Sequence, residues 1–150
     1  MAHELSYLED DGIIFTKYLM PWALEEFGQV VAENLAMAAE TGSLLFLGDC
    51  RELPSSGSLI DIYEMGEMLD GLGVDRRMRE ALVVAAPAEE TGTFEFFVTV
   101  TTNRGIQVRL FGEMDEATEW LKAEGARLSD AASEPSLEAD VPDALGGSNV

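Results

Sequence analysis

The sequence predicts a single α/β domain, an N-terminal β-hairpin followed by alternating helices and strands, with about five strands and four helices. Three observations predict it. Two short apolar runs, residues 44–48 (LLFLG) and 81–86 (ALVVAA), read as strands buried on both faces, as parallel strands are. The segments around them carry apolar residues every three or four positions, the period of an amphipathic helix. Ahead of both, residues 4–18 alternate with period two around Asp10-Asp11-Gly12, and Asp-Gly supplies the positive φ that a hairpin turn demands.

In the hairpin, Leu5, Tyr7 and Glu9 share one face, while Ile13, Phe15 and Lys17 oppose Ile14, Thr16 and Tyr18. Pro21 opens the first helix, where its missing N–H costs little. Leu24, Phe27, Val30, Val31, Leu35 and Ala38 form the apolar stripe of that helix, and Glu25 and Glu26 suit its positive N-terminal end. Gly42 is placed as the C-terminal cap. The run 44–48 then leads through Asp49 and Cys50 into a polar loop that reaches Ser58. Ser58, with Asp61 three positions on, caps a second helix whose stripe is Leu59, Ile62, Tyr63, Gly66 and Leu69, widened by Met65, Met68 and Leu72. Gly73 ends it.

Pro87 stops the strand 81–86. Residues 93–104 (TFEFFVTVTTNR) carry two signals: the β-branched and aromatic content argues strand, and the spacing of Phe94, Phe97, Val98 and Thr101 argues helix. Topology arbitrates. If 81–86 and 106–111 are parallel neighbours, a crossover must join them, and a helix is the usual one. Gly105 caps that helix, and Ile106, Val108 and Leu110 alternate as a strand. Asp115 caps a last helix carrying Ala117, Trp120 and Leu121 and ended by Gly125. From residue 126 the composition turns to Ser, Asp, Glu, Pro and Gly, so a domain over 1–125 and a disordered acidic tail over 126–150 are expected.

A chain of 150 residues suits one domain. Its 47% hydrophobic and 25% charged residues are those of a globular protein. The formal net charge of −20 argues against nucleic acid, whose backbone is gripped by basic side chains, and against an anionic membrane surface. That charge fits solubility, or steering toward a basic partner. No apolar run approaches the roughly 18 residues of a membrane span. The N-terminus has no basic stretch leading into an apolar one, so no signal peptide is expected. With a single cysteine, this favours a reducing, cytoplasmic setting.

Catalytic groups are scarce. The one histidine, His3, lies near a terminus expected to fray, and Cys50 sits beside Asp49, whose charge disfavours a thiolate. One Cys and one His are too few for a zinc site, and neither a calcium loop nor a phosphate-cradling glycine motif is present. No metal, no cofactor and no enzymatic activity are expected. Glu64 with Glu67, and Asp115 with Glu119, read as solvated helix faces. Phe96, Phe97 and the methionines of the second helix read as core, with an apolar ligand groove as the sharper alternative. Arg76, Arg77 and Arg79 form a basic cluster that could grip an anion or a partner carboxylate, or could offset local acidity.

The order of elements, the loop PSSGS opening the second helix, and the ending VRLFGEMDEATEWL together resemble the STAS/SpoIIAA-like superfamily. Residues 108–121 look most like its STAS/SEC14-type bacterial branch of unknown function. The resemblance covers about residues 5–123. It implies a regulatory domain that binds a protein partner. In the family's anti-sigma-factor antagonists, a kinase phosphorylates the first serine of an Asp-Ser-Ser-Gly motif at this helix start. Ser55 of Pro54-Ser55-Ser56-Gly57 is the matching residue, with proline in place of the aspartate and Asp49 as the nearest strand-end acid. A phosphate there would meet free N–H groups at a helix N-terminus. Alternatively, Ser55, Ser56 and Ser58 form a turn and cap the helix.

The expected function is therefore a non-enzymatic interaction domain whose docking surface is the loop 49–58 with the start of the following helix. A small-molecule or lipid binder with an apolar groove is the alternative, and a hydrolase-type enzyme built on carboxylates or Cys50 comes third. An edge strand in the hairpin also makes a homodimer compatible with the sequence.

Overall fold

The computed structural model describes residues 3–19, 24–53, 59–85 and 92–132. Its elements run β1 (His3–Leu8), β2 (Ile13–Tyr18), α1 (Leu24–Thr41), β3 (Leu45–Asp49), α2 (Leu59–Gly71), β4 (Arg79–Val83), α3 (Gly92–Thr102), β5 (Gln107–Phe111) and α4 (Met114–Ala132). The α/β order of five strands and four helices is the one expected, including the helix over the ambiguous segment.

The five strands lie in sequence order, β1-β2-β3-β4-β5, with β1 antiparallel to β2 and every later pair parallel. Parallel neighbours joined by right-handed crossovers that always step the same way carry their helices on one face. Here α1, α2 and α3 pack together on Tyr18, Leu82, Val84 and Val108. Among the described residues the other face is closed by α4 alone of the helices, through Ala117 and Leu121 on Ile13, Leu45, Leu47, Ala81 and Val83. Alternation sorts the strands: Ile13 turns to α4 and Ile14 to α1, and both are fully buried.

All of the glycines read as turns and caps except Gly125 behave so. Gly12 (φ 66°) closes the hairpin loop by donating to the Leu8 carbonyl at 2.8 Å. Gly105 (φ 78°) ends α3 in a Schellman motif, with Gly105 N–H on the Thr102 carbonyl (2.9 Å) and Ile106 N–H on that of Thr101 (2.9 Å).

Two boundaries and the placement of His3 differ from expectation. Helix α4 passes through Gly125 and runs to Ala132, into the segment expected to be tail. Its apolar stripe continues through Leu128, which packs on the same core, so the polar residues after 125 are the exposed side of an amphipathic helix. Gly125 is there for close approach: a Cβ at that position would sit 3.0 Å from Leu45 Cδ1. Strand β4 begins at Arg79, two residues before the apolar run, which brings Glu80 into the sheet. His3 is buried in β1, its Nε2 2.7 Å from Glu33 Oε1 and its Nδ1 3.6 Å from Glu26 Oε2, both on α1. Pro21, Pro87 and residues 133–150 lie outside the described residues.

Candidate functional site

The surface expected to dock a partner starts at the C-terminal end of β3. Asp49 is buried and gripped by Arg51, whose Nε donates to Oδ1 (2.9 Å) and Nη2 to Oδ2 (3.0 Å), while the Arg51 backbone N–H also donates to Oδ1. The Arg51 hydrogen bond, working against burial, holds this carboxyl below its ordinary range. Lys17 pairs with Glu52 at 3.3 Å, and Leu53 is buried. Asp49 is thus an anchor that ties the loop to the strand end. Ser55, Ser56 and Ser58 lie outside the described residues.

Where the chain resumes, α2 carries apolar residues on two sides. Ile62, Met65, Gly66 and Leu69 are buried against α1 and α3. Leu59 and Tyr63, expected on that buried stripe, are 58% and 49% exposed, and Ile60 beside them is 68% exposed. The cause is the tight approach of α2 to α3 at Gly66, where a Cβ would lie 2.2 Å from Val100 Cγ1. That contact turns the Ile62–Gly66 side inward and leaves the neighbouring side to solvent. The Tyr63 ring is braced by the Arg104 guanidinium of α3, 5.0 Å from its centroid, which also pairs with Glu67. Asp61 (half-buried) and the exposed Glu64 and Glu67 stand among these residues, giving an apolar patch with an acidic rim.

The arginine cluster is distributed rather than convergent. Arg76 pairs with Asp70 (2.7 Å) and Arg77 with Asp75 (2.7 Å), both at the surface. Arg79 points to the α4 face, where Nε donates to buried Glu124 (2.8 Å) and Nη1 to the carbonyls of Arg76, Arg77 and Met78. Each of the three thus meets a carboxylate of this chain. Burial pushes the Glu124 carboxyl up, but Arg79 and Arg127 together hold it below its ordinary value.

Cys50 is buried at the end of β3, and burial, then the carboxylates of Glu80 and Asp49, push its thiol well above the usual value. The same face holds Tyr18, whose hydroxyl is pushed well up by burial and then by Glu80. Asp115 and Glu119 are exposed. Among the described residues no group of three His, Cys, Asp or Glu side chains could hold a metal ion. No described helix is long and apolar enough to cross a membrane.

Glu80 is the residue that reading the sequence missed. It precedes the apolar run, and only the two-residue extension of β4 places it with Leu82 and Val84 on the helix-covered face. The signal was available in the alternation: Glu80, Leu82 and Val84 share one parity, Arg79, Ala81 and Val83 the other. Burial alone pushes its carboxyl up to about 7. It lines a cleft of about 70 Å³ between α1, the segment joining α2 to β4, and the sheet.

Comparison of the chain with protein-family models, with curated proteins and with solved structures found no match.

Proposed function

We propose that the chain is a non-enzymatic regulatory or protein-interaction domain of the STAS/SpoIIAA-like type, docking a partner through the start of α2 and the loop before it. The observation that carries this reading is the exposed cluster Leu59, Ile60 and Tyr63 at that helix start. Three large apolar side chains held together at the surface are unusual unless something covers them. Tyrosine braced by a guanidinium is also the kind of rigid, amphipathic anchor on which interfaces concentrate their energy. The hairpin-first order of elements agrees with the resemblance. The acidic rim and the net charge of −20 favour a partner whose own apolar patch is bordered by Lys and Arg.

The test is affinity purification from native cells with the wild-type chain and with Ile60→Ser/Tyr63→Ser. Both positions are exposed, so the variant should keep the wild-type circular dichroism, with a melting temperature lowered only by the loss of the Arg104–Tyr63 contact. A specific partner recovered with the wild type should be lost with the variant. Retention of every partner by the variant would reject this face as the docking surface.

A further inference from the structure

On the face covered by α1–α3, one row of side chains crosses all five strands: Tyr7, Ile14, Phe46, Glu80 and Val108. Glu80 is the charged member of an otherwise uncharged row. No hydrogen bond or ion pair reaches its carboxyl from the described residues. The adjacent cation, Arg79, is turned to the opposite face and engaged by Glu124 and three carbonyls. Arg79 also lines the cleft, but with its guanidinium engaged on the other face, and the remaining polar groups there besides Tyr18, namely Asn34 and Gln107, are neutral. Asn34 is itself engaged, donating to Thr16 Oγ1 (3.1 Å) and to the Val30 carbonyl (2.9 Å).

Glu80 is half-buried, and a carboxyl without a partner that is even partly withdrawn from water among hydrocarbon costs the fold more than an aliphatic residue or glutamine would. The cleft above Glu80 is lined by Tyr18, Phe27, Val30, Phe46 and Leu69. It offers aromatic rings, which attract cations, beside a carboxylate that lacks one. The net charge of −20 places that opening in a field that concentrates cations. We propose that this cleft is a binding site for a small apolar amine, its ammonium paired with the Glu80 carboxylate and its hydrocarbon lying among Phe27, Val30, Phe46 and Leu69. The site is separate from the exposed patch on α2 and does not depend on it.

A volume of about 70 Å³ holds roughly five to seven water-sized spheres, the scale of a six-carbon chain with its head group. The probe is therefore n-hexylamine, with n-hexanol as its neutral match and hexanoate as its anionic one. Binding to the full chain is followed by calorimetry and by methyl NMR of Val30, Leu69, Val74 and Ile106. The amine should bind with shifts confined to those methyls, the alcohol at least roughly tenfold more weakly, and hexanoate not at all. Glu80→Gln should bring the amine down to the alcohol's level. Glu80 has no partner in the described fold to lose, and the wild-type comparison of amine with alcohol decides the matter even if the variant misfolds. Absence of amine binding, equal binding of amine and alcohol, shifts spread over the acidic surface, or undiminished amine binding by Glu80→Gln would each overturn the proposal.

Discussion

Replacing Gly66 by alanine sets two effects of known sign against each other. Alanine in a helix interior is worth up to about 1 kcal/mol over glycine. Against that, the new Cβ would sit 2.2 Å from Val100 Cγ1 and 3.5 Å from Val100 Cβ. Carbon atoms prefer roughly 3.5–4.0 Å, so the first contact lies deep in the repulsive range. Val100 cannot easily turn aside, because a β-branched residue in a helix is held to one rotamer. The helices α2 and α3 must part instead, and overpacking of this kind costs about 1–3 kcal/mol. Steric cost exceeds propensity, and the net loss should be about 1–2 kcal/mol, a fall of roughly 2–8 °C in Tm for a domain of this size. Urea denaturation monitored by circular dichroism measures it. Gly71, in the last turn of the same helix, has nothing within 4 Å of the equivalent Cβ, so Gly71→Ala should be neutral or stabilising. Gly66→Ala/Val100→Ala should lose less than the sum of its single variants, by about 0.5 kcal/mol or more, because the added methyl occupies the space the valine vacates. A rise in Tm for Gly66→Ala, or strict additivity in the double variant, would refute the close-contact reasoning.

Two further outcomes follow from Glu80 and Arg79, the half-buried charges at the start of β4. With a folded pKa of about 7 against 4.5 for the free side chain, Glu80 holds its proton longer in the folded protein. Its contribution therefore falls as pH rises from about 4.5 to 7 and stays level above, a loss of at most about 3 kcal/mol. Glu80→Gln should be more stable than wild type by a margin that opens over that interval; Tyr18 and Cys50, both pushed upward, do not titrate within it. A pH-independent margin in chemical denaturation would contradict this. Arg79→Ala leaves Glu124, which is 6% exposed, with Arg127 alone and frees three carbonyls, so a loss of about 2 kcal/mol is expected. Lysine should recover only part of it, since one ammonium cannot reproduce the fork; a loss under about 0.5 kcal/mol for Arg79→Ala in urea denaturation would show the pair to be idle.

Much of the architecture was legible because it rests on local chemistry. Gly12, Gly42, Gly73 and Gly105 all adopt the positive φ that only glycine takes freely, and each was readable as a turn or cap. Helix α3 was legible only through topology, because its β-branched composition points the other way. Gly125 was misleading for a tertiary reason: glycine signals a helix end by propensity but also permits close packing, and Leu45, which it meets, is far away in sequence. Leu59 and Tyr63 fit the helical stripe of α2 as well as Ile62 and Leu69 do. Which side faces inward is decided by the Gly66–Val100 contact, which the periodicity of α2 does not contain. The burial of His3 and the half-burial of Glu80 were hidden for the same cause, since how far a polar strand residue is covered depends on what the next element lays over it.

The lopsided layering of the described residues, three helices on one face of the sheet and α4 alone on the other, bears on how the molecule is made. Each strand pairs with a neighbour already synthesised, so β1 to β5 can assemble in the order in which they leave the ribosome. Helix α4 emerges after every strand it covers. Until it does, no other described helix shields Ile13, Leu45, Leu47, Ala81 and Val83. A chain stalled or cleaved before Met114 would present that whole surface to chaperones and to other nascent chains. The last of these helices to be made is thus the one whose arrival ends the period of greatest risk of aggregation.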